Sequence, residues 1–164
     1  MSAAPESRLP ALLTADAVRS LPEKRFVHQL NPGAIRLTRS LGDATGLVSL
    51  GVHLVRLTQG HESTEYHFHH QDEEWIYILA GSGTAVIGGE EHEVGPGDFM
   101  GFVAGSAPHS LKNPHAEDLV YLVGGNRLPF DVCDYPRLRK RRYRVNGEAE
   151  YVDWDKLEKR TAPR

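Results

Sequence analysis

The sequence predicts an all-β domain built as a sandwich or a barrel, and three observations support this prediction. Short β-rich runs recur along the chain at a spacing of roughly ten residues. Eight of the 16 glycines lie between Gly81 and Gly105, where they indicate tight turns between such runs. Helical segments do not alternate with the runs, which argues against a βαβ arrangement with a parallel sheet.

Nine runs are predicted as strands. In chain order they span residues 34–39, 47–57, 64–68, 75–79, 83–87, 90–94, 99–103, 109–112 and 119–123. The dipeptides Ala80-Gly81 and Gly88-Gly89 and the segment 95–97 lie between neighbouring runs. Glycine and proline favour turns, so these positions are predicted to connect antiparallel strands.

The composition divides the 164-residue chain into one barrel and two flanking segments. Residues 1–24 are an N-terminal extension with three prolines, and residues 25–126 hold the predicted strands. The histidine-rich window of the barrel has no second copy, so one barrel without internal duplication is expected. Residues 127–164 are a basic and aromatic tail, which we expect to pack on the barrel or on a dimer partner.

Two short helices are predicted outside the barrel. Thr14 is placed to cap a helix over 15–21, because a threonine hydroxyl accepts hydrogen bonds from free N–H groups of a first turn. Asp153 is placed in the same way to cap a last helix over 154–160.

Composition and charge exclude several classes of function. The net charge is −3 and the isoelectric point is about 6.3, so the chain is no nucleic-acid-binding polycation. Cys133 is the one cysteine, which excludes an internal disulfide and a cysteine-based zinc or iron–sulfur site. The apolar run Trp75 to Ala80 is too short to span a membrane, and the N-terminus lacks the pattern of a secretory signal. We expect a cytoplasmic protein without membrane contact.

Ligand-type side chains are concentrated in one window of the chain. Four of the nine histidines lie between His61 and His70, with five acidic residues in the same window up to Glu74. His67 and His69 are two apart, which places both on one face of a strand. Glu74 follows on the next strand; a register shifted by one residue would instead make Glu73 the inward carboxylate.

A third imidazole has to come from a different part of the chain. His109 is the best candidate, because it opens the later predicted strand 109–112. Three neutral imidazoles and one carboxylate suit a borderline divalent ion such as Mn, Fe, Co, Ni or Zn. One divalent transition metal ion per chain is therefore the expected cofactor.

The two motifs around these residues resemble those of the cupin superfamily. The first cupin motif is matched by Gly60, His67, His69, Glu74 and Gly81. The second is resembled by Gly97, Gly105, His109 and Asn113. Val103 stands where the second motif has proline, and three residues instead of two separate Gly105 from His109. The similarity covers about residues 45–125, and the whole chain is similar to small single-domain bacterial cupins with a basic, aromatic tail.

This resemblance implies a double-stranded β-helix, also called a cupin or jelly-roll barrel, with a metal at its mouth. The implied metal ligands are His67, His69, Glu74 and His109, and a homodimer is expected. Cupins with these ligands include dioxygenases, decarboxylases and sugar-phosphate isomerases, and also proteins that only bind or store small molecules. The resemblance therefore leaves the activity open.

The leading functional hypothesis is a metalloenzyme acting on a small anionic or oxygenated metabolite. An ion with one glutamate and three neutral histidines carries a formal charge of +1 and favours chelating anionic ligands. Glu73 and Tyr66 are candidates for a catalytic acid or base through proximity alone. A non-catalytic binding or sensor protein is the first alternative. A metal-free isomerase that uses His67 as its base is the second.

Several other residues are expected to have a structural role and to take no part in the metal site. His61, His70 and His92 are expected to be solvated, and Trp75 and Tyr77 are expected on the strand face opposite Glu74. Residues 137–144 carry six cations and no acid, whereas the remainder of the chain is net acidic. We therefore expect this basic segment to dock on acidic surface of the chain or of a second subunit. Nucleic acid is not an expected partner; a small-molecule ligand is.

Overall fold

A six-stranded antiparallel sheet is the largest layer of the computed structural model, which describes residues 9–158 and 160. In sheet order its strands are β1 (Lys24–His28), β2 (Asn31–Ser40), β3 (Leu50–Leu57), β10 (Leu119–Asn126), β5 (Glu74–Ala80) and β8 (Phe99–Phe102). The central strand β10 pairs with β3 along its whole length, from Leu119 opposite Leu57 to Asn126 opposite Leu50.

Two smaller sheets complete the fold. One is ordered β7 (Glu90–Val94), β6 (Gly83–Ile87) and β9 (His109–Lys112). The other is ordered β13 (Glu148–Asp153), β12 (Lys140–Val145), β11 (Phe130–Tyr135) and β4 (Phe68–His69). An isolated antiparallel bridge between His67 and His109 joins the two smaller sheets. The predicted all-β jelly-roll class is thereby confirmed.

Alternating apolar side chains fill the space between the layers. On β3 and β5 the inward positions are every second residue, and Val55, Leu57, Ile76 and Ile78 are all buried there. Tyr121 of β10 belongs to the same cluster. Complete burial of a leucine or isoleucine side chain contributes about 1.5–3 kcal/mol to stability. These inward positions also set the register that aims Glu74 toward the interior.

The helices are short. Helix α1 (Ala15–Ser20) is capped as predicted, since the Ala17 N–H donates to Thr14 Oγ1 at 3.2 Å. Helix α2 (Leu41–Thr45) was not predicted, and it ends at Gly46 in the left-handed conformation. Single 3-10 turns span Pro136–Leu138 and Trp154–Lys156. No helix in the described part of the chain is long and apolar enough to cross a membrane.

The prediction of a last helix over 154–160 is wrong for the residues that are described, and residue 159 lies outside them. Only one 3-10 turn forms, up to Lys156, and the Asp153 side chain does not cap it. The Asp153 carboxylate instead binds Lys140, which starts the neighbouring strand β12. Of the N-terminal extension, residues 1–8 also lie outside the described part.

The strand predictions fail mainly in two places. The predicted strand 64–68 shrinks to the two residues of β4, because residues 61–67 follow an irregular path. That path is held by bonds such as Ser63 N–H to the Leu111 carbonyl. Strands β11, β12 and β13 were not predicted, and they form an antiparallel sheet that pairs with β4 through Cys133 and Asp134.

Candidate metal centre

Three imidazoles and one carboxylate meet at one end of the barrel. The Nε2 atoms of His67, His69 and His109 lie 3.7, 3.8 and 3.7 Å from Oε2 of Glu74. The structure therefore brings together all four residues that the sequence predicts as metal ligands. Ligand atoms of His67, Glu74 and His109 also lie within 4.8 Å of one another.

Each of these side chains is positioned by backbone pairing. His67 and His109 exchange both backbone hydrogen bonds of their bridge, at 3.1 and 2.8 Å. His69 lies on β4 opposite Cys133 of β11. Glu74 is the first residue of β5 and pairs with Gly125 on one side and with Phe102 on the other. Three strands, β4, β5 and β9, and the residue that precedes β4 thus converge on the centre.

The Nδ1 atoms of all three imidazoles already face acceptors. His67 Nδ1 is 2.9 Å from the Glu65 carbonyl, and His69 Nδ1 is 2.7 Å from Oδ2 of Asp131. His109 Nδ1 makes a longer contact of 3.5 Å with the Ala107 carbonyl. With Nδ1 protonated and donating, the lone pair of each ring is on Nε2, the atom that points to Glu74.

Burial fixes the charge states at the centre. Burial is the main reason that the pKa of His67 falls to about 4, so this ring is neutral at pH 7. Burial opposes ionisation of Glu74, but its contacts with His109 and His67 hold the pKa of this carboxyl well below the ordinary value. A neutral imidazole and an ionised carboxylate are the protonation states in which such groups bind a metal.

The donor set fits a divalent transition metal. His109 Nε2 is buried and has no hydrogen-bond partner among the described residues, and such an orphaned acceptor is costly unless it has a ligand. Three nitrogen donors and one carboxylate suit Mn, Fe, Co, Ni or Zn. The residues present therefore match the cofactor that the sequence predicts.

Strand alternation determines which of the acidic and aromatic side chains next to Glu74 face the imidazoles. The side chain of Glu73 is exposed, and its backbone N–H donates to Asn126 Oδ1, so Glu74 rather than Glu73 faces the imidazoles. Trp75 stacks on Phe99, on the other face of β5 from the core residues. Tyr77 also lies on that face and is partly exposed.

The structure confirms some of the expectations for the other residues singled out in the sequence and contradicts others. Tyr66 is buried under the guanidinium of Arg137, 4.3 Å from its ring centroid, and it lines neither cavity at the centre. His92 is exposed as expected. The expectation of a solvated His70 is wrong, because this half-buried ring lies 3.0 Å from Asp134 Oδ2.

Two residues of β11 at the centre escaped the sequence analysis. Asp131 is completely buried and contacts His69, and Cys133 lies within 4.8 Å of ring nitrogens of both His67 and His69. Burial raises the pKa of the Cys133 thiol to about 12, so the sulfur is protonated. A charged residue inside an otherwise apolar run, as in FDVCDY, is the signal that points to them.

Two cavities of about 270 and 380 Å³ meet at His69 and Glu74. Arg36, Thr64 and Arg144 also line both of them. The smaller cavity extends along β3 and β10, past His53 and Arg127. The larger one lies between β1 and the β12–β13 hairpin. Arginine side chains therefore line both cavities, and Asp72 and Glu73 also line the smaller one.

The basic segment 137–144 is held in place by ion pairs with acids of the chain itself. Arg141 binds Asp134 through two nitrogens, each at 2.7 Å, and Arg144 binds Asp72 at 2.5 Å. The expected docking of this segment on acidic groups thus takes the form of a strand in a sheet, with both carboxylates buried.

Comparisons with known proteins agree with this architecture. The cupin domain family matches residues 53–125. A protein from Acidithiobacillus ferrooxidans, provisionally named a sugar phosphate isomerase, is 45% identical with a TM-score of 0.92; the alignment covers 96% of this chain and 100% of that one. A sugar phosphate isomerase of the cupin superfamily from Silicibacter pomeroyi is 28% identical with a TM-score of 0.77, over 88% and 94% of the two chains.

A further solved structure shares the fold alone. It is a predicted oxalate decarboxylase from Thermotoga maritima, 19% identical, with a TM-score of 0.57 over 68% of this chain and 96% of that one. A comparison with curated protein sequences gave no match. The double-stranded β-helix and the two histidine motifs define a cupin, and the chain belongs to the cupin superfamily.

Proposed function

We propose that this cupin is a metal-dependent enzyme that isomerises a small sugar phosphate or a closely related phosphorylated hydroxy-carbonyl compound. The observation that carries the proposal is the convergence of three imidazole Nε2 atoms on Glu74, beside the larger cavity, whose walls carry three arginines and no carboxylate other than Glu74 among the described residues. The arrangement favours an anionic, oxygen-rich ligand because cavity walls of one charge attract the opposite charge.

Two of the similar structures support the choice of reaction. The Acidithiobacillus and Silicibacter proteins, which align with most of this chain, carry names of sugar phosphate isomerases. The 45% identity of the first is high enough for a shared barrel and tail. The site itself supports the class of substrate through its charge, and the neighbours' names support the type of reaction.

The residues of the chain have distinct roles in this proposal. His67, His69, His109 and Glu74 would hold the metal, which when bound acts as a Lewis acid toward substrate oxygens. Isomerisation of a hydroxy-carbonyl compound requires a proton to leave one carbon and another to join its neighbour. A base with a pKa near the working pH performs this transfer best.

His53 is the side chain best suited to that proton transfer. It lines the smaller cavity together with His69 and Glu74. Burial is the main cause that lowers its pKa, so the ring is a neutral base at pH 7. Its Nδ1 is buried without a hydrogen-bond partner among the described residues. Glu73 lines the same cavity as an exposed carboxylate at its rim.

Proton NMR of the metal-loaded enzyme in D2O tests the proposal. A panel of aldose and ketose phosphates is incubated with protein loaded in turn with Mn, Fe, Co, Ni or Zn. We expect one substrate to be interconverted, with solvent deuterium incorporated at the carbon next to the carbonyl. Glu74→Gln should lower the rate at least 100-fold, whereas Glu91→Gln, on the exposed strand β7, should leave it unchanged.

Two results would contradict the proposal in different ways. Saturable binding of a panel member without turnover or deuterium incorporation, whichever metal is loaded, favours the sensor hypothesis. Isomerisation that survives complete removal of metal by a chelator favours a metal-free isomerase.

A further inference from the structure

The larger cavity at the centre has three walls from distant parts of the sequence. His67, His69 and Glu74 form one wall, and β1 and β2 form a second with Phe26, His28 and Arg36. The β12–β13 hairpin forms the third with Arg142, Arg144 and Tyr151. The tail of the chain is therefore part of the same cavity as the imidazoles.

Charge in this cavity is unbalanced. Three arginines line it, but Glu74 is its one carboxylate among the described residues. Arg144 is already neutralised, because it binds Asp72 at 2.5 Å and also the Leu128 carbonyl. The surplus positive charge therefore resides on the other two guanidinium groups, Arg36 and Arg142.

Most N–H donors of the Arg36 guanidinium make no hydrogen bond to the described part of the protein. Its Nη1 donates to the Ser63 carbonyl at 2.8 Å, and its guanidinium lies over the Phe26 ring, 4.4 Å from the centroid. No carboxylate of the described residues is within 4 Å of it. A guanidinium has five N–H donors, and most of those of Arg36 make no hydrogen bond to the described residues.

Arg142, on the opposite wall of the cavity, also has an N–H donor without a hydrogen-bond partner in the described part of the chain. Its closest carboxylate is Asp131 at 3.6 Å, and that oxygen already accepts the short bond from His69. The Nε of Arg142 is buried without a hydrogen-bond partner among the described residues. A buried donor of this kind is costly to leave unpaired, unless a ligand accepts from it.

Both guanidinium groups line the same cavity as the His28 imidazole. Burial first, and then the charges of His67, Arg36 and Arg142, lower the pKa of His28 to about 4. Two cations from different sheets therefore line one cavity beside the imidazoles, which is an arrangement that a single anionic group could bridge.

We propose that Arg36 and Arg142 together hold the phosphate group of the substrate, while its carbon chain extends toward Glu74. Arginine forks bind phosphate oxygens in pairs. A phosphate monoester carries about two negative charges at pH 7, which matches two guanidinium groups, whereas a single carboxylate would leave one unmatched. The placement of the carbon chain rests on the proposed function; the phosphate site does not need turnover to be tested.

Calorimetric titration with inorganic phosphate tests the site in the full-length chain, both metal-free and loaded with Zn. We expect phosphate to bind both forms, and Arg36→Gln and Arg142→Gln each to raise the Kd at least tenfold without loss of Zn. Arg141→Gln is the matched control, because Arg141 is on the same strand but binds Asp134 outside the cavity. Its Kd should stay within twofold of the wild type.

Equal phosphate affinity in the wild type and both arginine variants would overturn the proposal. Phosphate binding that requires Zn and is unchanged by substitution of either arginine would also overturn it. If Arg142→Gln does not fold, Arg142→Lys keeps the charge beside Asp131 but loses the fork, and it should still weaken binding severalfold. Arginine-dependent phosphate binding in a chain that isomerises none of the sugar phosphates would support this site and refute the proposed reaction.

Discussion

Asp131 accepts a hydrogen bond of 2.7 Å from Nδ1 of His69, across the pairing of β11 with β4. The carboxylate is completely buried, and its other oxygen accepts from the backbone N–H groups of Gln71 and Asp72. Burial alone would raise the pKa of Asp131, but the bonds from His69 and these N–H groups bring it to about 2. An ionised carboxylate behind the ring fixes its tautomer and increases the basicity of Nε2.

We therefore predict that Asp131→Asn weakens metal binding by about 10- to 100-fold, because partners behind ligating histidines typically have effects of this size. A titration against a competing chelator measures the affinity. Asp134→Asn is the matched control on the same strand, since Asp134 binds Arg141 and His70 instead. An unchanged affinity in the Asp131 variant would show that this carboxylate does not support the centre.

Gly81→Ala should lower the free energy of unfolding by at least about 2 kcal/mol. Gly81 has a φ of +73°, and an added Cβ would lie 2.3 Å from the Asp118 carbonyl oxygen. Gly95 has neither constraint, so Gly95→Ala should change stability by less than about 0.5 kcal/mol. Urea denaturation of the two variants measures the difference, and equal stabilities would contradict the turn geometry.

The stability of the metal-free chain should fall between pH 6.5 and 4, and His28 contributes to this fall. Its pKa is about 4 in the folded chain, with burial as the main cause, against 6.5 in the unfolded chain. In this interval the unfolded state binds a proton that the folded state does not, so acid favours unfolding by up to about 3 kcal/mol.

His28→Asn removes that proton-binding group and keeps an acceptor for the Leu30 N–H, which His28 Nδ1 binds at 3.2 Å. Denaturation of both chains at several pH values should show stabilities that converge as the pH decreases from 7 to 4. Curves that remain parallel would contradict the burial of a neutral His28.

Cys133 should be inert in the folded chain. Its side chain is 1% exposed, and burial raises the pKa of the thiol to about 12. A reagent therefore cannot reach the sulfur, and the sulfur is not a thiolate at pH 8. We expect an aromatic disulfide reagent to label the folded chain at least 100-fold more slowly than the chain in urea. Rapid labelling of the folded chain would place Cys133 at the surface.

The sequence predicted the barrel well because its signals there are local. Alternating apolar residues and glycine turns located β6, β7 and β9 to the residue, and the motif spacing located the four residues that meet at Glu74. Strand alternation also distinguished Glu74 from Glu73, since one residue of shift reverses every side chain on a strand.

The tail was missed because its strands are rich in charged residues. The strand β12 has the sequence KRRYRV, which shows no alternation of apolar and polar residues. In the folded chain, Asp134 and Asp72 neutralise two of its cations. The position of Asp131 behind His69 requires the pairing of β11 with β4, which joins segments about sixty residues apart. No local pattern reports a contact of this kind.

Elemental analysis of the purified chain and two glutamate variants tests the central claim, that His67, His69, Glu74 and His109 hold one divalent metal. We predict one ion per wild-type chain, one per Glu73→Gln chain and a large loss in Glu74→Gln. All three chains should remain folded, because a domain of this size buries enough apolar surface to fold without metal. Equal metal in the two variants, or loss in Glu73→Gln alone, would contradict the assignment.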